Sequence, residues 1–221
     1  MSYTPVPLNF DVNSPEEMEE RARSFFEEMN RRRSVRDFSD RDVPRELIEY
    51  AIRTASTAPS GAHRQPWTFV AVNNADLKRE IREAVEEEEK KNYDERMTDE
   101  WLEALHPIGT DWQKPFLETV PWIVVCFAQN YGVDENGEKV KHYYVQESVG
   151  IACGFFIATL HHMGLATLTH TPAPMRFLTD ILNRPDNERP YILFPIGYPA
   201  DDAEVPNLSR RDLDDVVQWN R

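Results

Sequence analysis

The chain has 221 residues and a formal net charge of −14, with 39 acidic against 25 basic side chains. That acidity excludes a protein built to wrap nucleic acid or to lie on an anionic membrane, and no apolar run approaches the ~20 residues of a membrane span. Hydrophobic residues at 40% and charged residues at 29% fit a globular domain with a substantial core.

The N-terminal stretch MSYTPVPLNF lacks the basic and apolar regions of a signal peptide. Cys126 and Cys153 each sit inside an apolar run, with no metal-type Cys/His spacing around them. The expectations are free thiols, no metal and a cytoplasmic location. Ser14-Pro15-Glu16-Glu17 predicts a helix start, with Ser14 as cap, Pro15 in the first turn and Glu17 closing a capping box. Met18, Ala22, Phe25 and Met29 follow at helical spacing. A second helix follows Val43-Pro44, with Leu47, Ile48, Ala51, Ile52 and Ala55 on one face, and stops at the loop TAPSGAHRQPW, residues 57–67. WTFVAV (67–72) predicts a strand, and a helix is expected near 75–90. PWIVVCFAQ (121–129) is almost continuously apolar, which predicts a central strand covered on both faces. A helix is expected over 142–163. From 148 onward it is apolar nearly all round (Val149, Ile151, Phe155, Phe156, Leu160), so core burial plus a subunit interface must cover it. Gly164 is its natural C-terminal cap. LATLTH (165–170) and YILFPIGY (191–198) are further strands flanking a helix near 174–183, and Pro195 predicts an edge position or a bulge in the last. Helices and strands interleave without a break, so residues 1–221 read as a single α+β domain.

Four segments carry chemistry. The run RRRSVR (31–36) reads either as a solvated turn after a helix or as an Arg/Ser phosphate clamp, since guanidinium recognises phosphate in two-pronged fashion. With only eight glycines, and neither GxGxxG nor GxxxxGK[ST], side chains rather than a glycine loop must hold the phosphate of any nucleotide-like cofactor. APSGAH (58–63) is a simple turn, or a place where a flat ring approaches the backbone amides of Ser60, Gly61 and Ala62. In EAVEEEEKKNYDERM (83–97) the apolar stripe of Leu77, Ile81, Ala84 and Val85 ends while strong helix formers continue. That is a solvated helix end held by Glu–Lys pairs, or a lid tipped by Tyr93. LTHTP (168–172) starts a turn or places a Thr hydroxyl at the rim of a sheet.

Taken together, RRSVR (32–36), TAPSGAH (57–63) with PWTFV (66–70), EEEE..NY (86–93), HYY..ESV.IACG (142–154), T.TP (169–172) and P.GYP....VP.L (195–208) resemble the nitroreductase-like flavoprotein superfamily in its iodotyrosine deiodinase branch. The resemblance covers nearly the whole chain from about residue 30. It implies a nitroreductase-like fold, a mixed central sheet flanked by helices in a domain-exchanged homodimer with FMN at the subunit interface. The family pattern sets Arg32, Arg33, Ser34, Val35, Arg36 and Arg210 at the FMN phosphate side, Ser60, Gly61 and Ala62 along the flavin, and Thr169, His170 and Thr171 beside its ring. Thr171 would donate a hydrogen bond to flavin N5, and His170 would touch the flavin through its backbone alone. Glu89, Tyr93 and Lys114, within a lid segment 83–114, match the residues that hold the zwitterion of an amino acid. The implied activity is FMN-dependent reductive dehalogenation of halotyrosines by stepwise electron transfer, with Thr171 and the Ala62 amide, which faces the phenolate, as the catalytic groups. The alternatives are a broad nitroreductase or quinone reductase, which has no need of a Glu89/Tyr93/Lys114 set, and a non-catalytic flavin binder, which has no need of Thr171. The electron donor or flavin reductase is unidentified. No NAD(P) fingerprint is visible, although members of the superfamily bind NADPH or NADH without one.

Overall fold

The computed structural model describes residues 3–220. They fall into two compact units, one ending at Arg32 and one starting at Arg33. In the first, both halves of the expected capping box close: the Glu17 N–H donates to Ser14 Oγ (3.3 Å) and the Ser14 N–H donates to Glu17 Oε2 (2.8 Å). Helix α1 (Pro15–Asn30) follows. None of its residues is buried, and Met18, Phe25 and Phe26 are exposed.

The second unit has strands β1 (Trp67–Val72), β2 (Trp122–Gln129), β3 (Tyr131–Val133), β4 (Lys139–Lys141), β5 (Ala166–Thr167) and β6 (Glu188–Gly197). Its helices are α2 (Arg45–Ala55), α3 (Ala75–Lys91), α4 (Asp99–Leu105), α5 (Phe116–Thr119), α6 (Val145–His162) and α7 (Phe177–Ile181). The main sheet runs in the order β1-β2-β6-β5 with every neighbour antiparallel, and β3 and β4 form a separate hairpin. The parallel component of the sheet is one bridge, Ser34 to Thr167.

Strand alternation divides the core. On β2, Trp122, Val124, Cys126 and Ala128 pack with Ala51 and Ala55 of α2 and Val149, Phe156 and Leu160 of α6. Ile123, Val125 and Phe127 point the other way, onto Ile81 and Val85 of α3, Leu117 of α5 and Leu178 of α7. The sheet is therefore covered on both faces, as the apolar run of β2 requires, and each large side chain so buried contributes roughly 1.5–3 kcal/mol. Both cysteines are buried free thiols.

Pro195 departs from its expected place. It sits inside β6, which is flanked by β2 and β5. Leu193 exchanges backbone hydrogen bonds with His170 (both 2.9 Å), so the polar groups of residue 195, two positions on, face the same side. The missing N–H of Pro195 thus falls opposite Leu168, and the Pro195 carbonyl accepts from Thr167 Oγ1 (2.8 Å) instead. The ladder to β2 loses nothing, whereas the LATLTH stretch pairs regularly only over Ala166–Thr167 and again at His170. The bulge lies elsewhere, where Cys126 pairs with Ile192 and Phe127 with Pro190.

Lys78 fastens α3 to the entry of β2. Its buried ammonium donates to the carbonyls of Glu118 (3.1 Å) and Val120 (2.6 Å). Lys78→Met leaves both acceptors without a donor, at a cost of about 2 kcal/mol. The melting temperature followed by circular dichroism is expected to fall by about 4–8 °C. An unchanged value would show that water replaces the ammonium.

Candidate active site

Helix α3 does not stop burying its inner face at Val85. Lys78, Ile81, Val85 and Glu89 are all buried, and Asn92 continues the stripe in the π-helical turn Asn92–Arg96. The spacing is that of one helix face, but its last positions are polar. Opposite Glu89, Lys114 reaches in from the segment before α5. Its Nζ lies 3.9 Å from Glu89 Oε2, and only 3% of its side chain is exposed. Lys114 Nζ also donates to Thr110 Oγ1 (3.4 Å), while the Tyr93 hydroxyl donates to the Thr110 carbonyl (3.1 Å). The Tyr93 ring stands 5.8 Å from the ammonium. Asn92 Nδ2 donates to the Ala173 carbonyl (2.8 Å), tying this segment to the loop after Thr171. Glu89, Tyr93 and Lys114 are therefore brought together.

The EEEEKK run is not uniformly a solvated helix end. Glu87 fits that reading, with its side chain 71% exposed. Glu86, read from sequence in the same way, does not: its side chain is 16% exposed, Oε1 accepts the Lys114 N–H (2.7 Å) and Oε2 accepts from Arg82 (3.2 Å). Arg82 in turn donates to Glu118 (2.5 Å). A cavity of about 340 Å³ opens here, walled by Arg36, Arg82, Glu86, Thr110, Asp111 and Phe116. Sequence reasoning missed Arg82 and Glu86, although their spacing to Glu89 and Tyr93 puts all four on one helical face.

Burial dominates the electrostatics. It raises the Glu89 carboxyl above the usual range and lowers the Lys114 ammonium below its own, with the pair's mutual attraction opposing both shifts. The Arg36 guanidinium is lowered by burial as well, and the ion pairs formed among the described residues do not include it. His170 is held neutral, its imidazole driven down to about 3 by burial and by the nearby charges of Lys114 and Arg36. Its Nε2 is buried without a hydrogen-bond partner.

The remaining candidates form two groups. The Arg33 guanidinium donates to the Pro206 carbonyl, which draws in the segment carrying the exposed Arg210. Ser34 bridges Thr167, and the buried Val35 donates its N–H to the Thr167 carbonyl (3.3 Å). Residues 33–36 thus lie along β5, whose continuation exposes Thr169 and Thr171 and buries His170 between them. His170 stands opposite Leu193, so its ring points to the α3 side, and its N–H and carbonyl are both hydrogen-bonded to Leu193 (2.9 Å each). Arg32 belongs to the first unit, where its N–H donates to Met29 (3.1 Å). The Ser60–Gly61–Ala62 loop leads into β1, at the other edge of the sheet. The Gly61 N–H donates to Ser148 Oγ (3.3 Å). A Cβ at Gly61 would lie 2.4 Å from the Tyr143 carbonyl oxygen. Ala62 is exposed with φ 49° and His63 has φ 54°, a left-handed pair that non-glycine residues seldom adopt. Three strand spacings, roughly 14 Å, separate the two edges.

Residues 29–198 match the sequence model of the Nitroreductase family. The solved nitroreductase with bound FMN from Bacteroides fragilis shares the fold, with a TM-score of 0.66 at 18% identity over 89% of this chain and 98% of that one. The chain belongs to the nitroreductase family, and within it to the iodotyrosine deiodinases. It is 56% identical to the iodotyrosine deiodinase of Haliscomenobacter hydrossis, over 90% of this chain and 89% of the relative. Iodotyrosine deiodinase 1 of Homo sapiens is 44% identical, over 96% and 74% respectively. A crystal structure of oxidized iodotyrosine deiodinase bound to FMN and 3-iodo-L-tyrosine superposes with a TM-score of 0.76 at 30% identity, covering 89% of this chain and 99% of that one. Among the described residues no helix is long and apolar enough to cross a membrane, and no group of His, Cys, Asp and Glu side chains could hold a metal ion.

Two outcomes follow from the buried charges. Replacing Glu89 by Gln or Lys114 by Met alone leaves the other charge buried and unpaired, so each single change should lower the melting temperature. The double replacement should restore it or raise it above wild type; additive losses would show that the two groups do not interact. For His170, the depressed folded pKa means that its contribution to stability is complete above the ordinary imidazole value of 6.5 and is lost as pH falls toward about 3. Over that window it accounts for about 1.4 kcal/mol per pH unit. Urea midpoints measured from pH 7 to 4 should fall less steeply in His170→Thr than in wild type, and equal slopes would refute the assignment.

Proposed function

We propose that the chain catalyses FMN-dependent reductive dehalogenation of halotyrosines, with Glu89, Tyr93 and Lys114 as the recognition site for the amino acid end of the substrate. The observation that carries the reading is the buried, opposed Glu89–Lys114 pair beside an aromatic ring. An α-amino acid presents one ammonium and one carboxylate, and the pair offers a partner for each. A reductase of flat neutral compounds gains nothing from two desolvated charges.

The residues present suit FMN. Arg36 is a partly buried cation outside the ion pairs of the described residues, Arg33 and Ser34 lie beside it in sequence, and Thr169 and Thr171 are exposed on the neighbouring strand continuation. A dense donor set of this kind calls for an anionic or electron-rich partner. Arg33, Ser34, Val35, Arg36 and Arg210 would hold the cofactor on one side, with Ser60 and Gly61 on the other. When bound and reduced, FMN supplies the two electrons for dehalogenation. The aryl–halogen bond breaks, the ring carbon takes up a proton with the electron pair, and halide leaves.

In this reading the protein binds, orients and dries the reactants. Glu89 accepts from the substrate ammonium and Lys114 donates to its carboxylate, each charge-assisted bond in a water-poor site contributing roughly 1.5–3 kcal/mol. Tyr93 packs on the substrate. The Ala62 N–H stabilises the phenolate oxygen, and the Thr171 hydroxyl donates to flavin N5. The lid segment 83–114 keeps water from the reacting bond.

The active form is a homodimer. The two groups of flavin residues sit at opposite edges of one sheet, so a second copy completes each site. The outer face of α6 leaves Ile151 at 41% and Phe155 at 40% exposure, an apolar surface for that copy to cover. An external donor or flavin reductase restores the reduced cofactor.

An anaerobic experiment tests the reading. Protein loaded with FMN and reduced by dithionite should convert 3-iodotyrosine to tyrosine and iodide, one equivalent of each per FMN; release of neither would overturn it. Thr171→Ala should slow dehalogenation while reduction of a nitroaromatic holds. In sedimentation the FMN-loaded protein should be a dimer, and a monomer retaining FMN would remove the shared site.

A further inference from the structure

We infer that Glu86 is the positioning residue of the substrate site: it fixes Lys114 relative to Glu89 and so sets recognition of the substrate carboxylate. The inference rests on the reading of Lys114 as the carboxylate partner.

A lysine side chain is long and flexible, and its ammonium holds a place only when the backbone beneath it is anchored. The Lys114 carbonyl accepts from the Leu117 N–H (3.0 Å) within its own segment, and the bond that ties this backbone to α3 runs from the Lys114 N–H to Glu86 Oε1 at 2.7 Å. Glu86 is itself held. Its second oxygen accepts from Arg82 (3.2 Å), and Arg82 donates through Nε to Glu118 (2.5 Å). Lys78 adds bonds to the carbonyls of Glu118 and Val120, so the segment from Lys114 to Val120 is fastened to one face of α3 at Lys78, Arg82 and Glu86.

Glu89 is the next residue on that face. Glu86 and Glu89 are about 4.5 Å apart along the helix axis. The helix thus acts as a ruler: one carboxylate holds the backbone of Lys114, and the other, less than a turn away, faces its ammonium at 3.9 Å. The separation between the two charges offered to a substrate is set by the protein framework, at a scale suited to an ammonium and a carboxylate on one carbon. Glu86 also lines the cavity of about 340 Å³ beside Arg36 and Thr110. Its side chain is 16% exposed, against 71% for Glu87 on the same helix.

The test compares 3-iodotyrosine with 3-iodotyramine, which lacks the carboxylate, by quenching of flavin fluorescence in the FMN-loaded protein. Wild type should prefer iodotyrosine strongly. Glu86→Leu should weaken iodotyrosine about tenfold or more, the consequence of an unanchored backbone donor, and leave iodotyramine and FMN retention unchanged. Turnover should show a raised KM with kcat largely kept. Glu86→Gln keeps an acceptor oxygen and should recover most of the preference, and Glu87→Gln should match wild type. Should Glu86→Leu not fold, Glu86→Ser serves, since its short hydroxyl cannot span to the Lys114 N–H. Lys114→Ala is the reference and should abolish the preference. A preference that survives Lys114→Ala would sink the reading of Lys114 itself. A preference abolished by Lys114→Ala yet intact in Glu86→Leu or Glu86→Ser would overturn the role of Glu86 alone.

Discussion

Glu89 and Lys114 face each other at 3.9 Å behind the sheet, withdrawn from water on a helix face that elsewhere buries Ile81 and Val85. Water would solvate both charges better than this pocket does, and their attraction only partly offsets the loss. Much of the surrounding structure serves to hold them there. The ammonium of Lys78 and the Arg82–Glu118 bond fasten the neighbouring segment to α3, and Asn92 ties the helix end to the loop beyond Thr171. His170 stays neutral, which spares the pocket a further positive charge beside Lys114 and Arg36.

The sheet does a different task. Its two faces are filled by hydrophobic residues that alternate along β2, and the candidate flavin residues lie toward its edges. At one edge Pro195 interrupts the ladder next to Leu168, and Thr169 and Thr171 beyond it are exposed. At the other, Gly61 lets the backbone meet Tyr143 at a distance no side chain would allow, and Ala62 and His63 turn through left-handed conformations. Strain of this kind persists only where neighbours over-determine the backbone.

Much of the fold was legible in the sequence. β1 and β2 announced themselves by continuous apolar residues, and α1 by a capping box whose two bonds both form. Pro195 was legible as a disturbance but not in its direction, because which neighbour a missing N–H faces depends on register. The hairpin of β3 and β4 was not read, since strands of three residues carry too little pattern. In the site, the grouping of Glu89, Tyr93 and Lys114 came from family resemblance, and the structure places the three together. Glu86 was misread because four consecutive glutamates look alike in a sequence. Helix phase separates Glu86 and Glu89, which both meet Lys114, from Glu87, which turns out. The burial of the His170 ring on the α3 side was hidden for the same reason: an alternating strand shows its facing only once a partner such as Leu193 is known.

The placement of Ala62 and Thr171 on opposite edges of one sheet has a genetic consequence. In the proposed dimer, each flavin draws one group from either chain. Two alleles, one defective in the loop before β1 and the other in the stretch after β5, would each be inactive when expressed alone. Expressed together they would assemble mixed dimers in which one site collects both lesions and the other collects none. In that dimer, complementation between defective copies would follow from the sheet order, and a cell carrying both alleles would regain part of the activity that neither encodes.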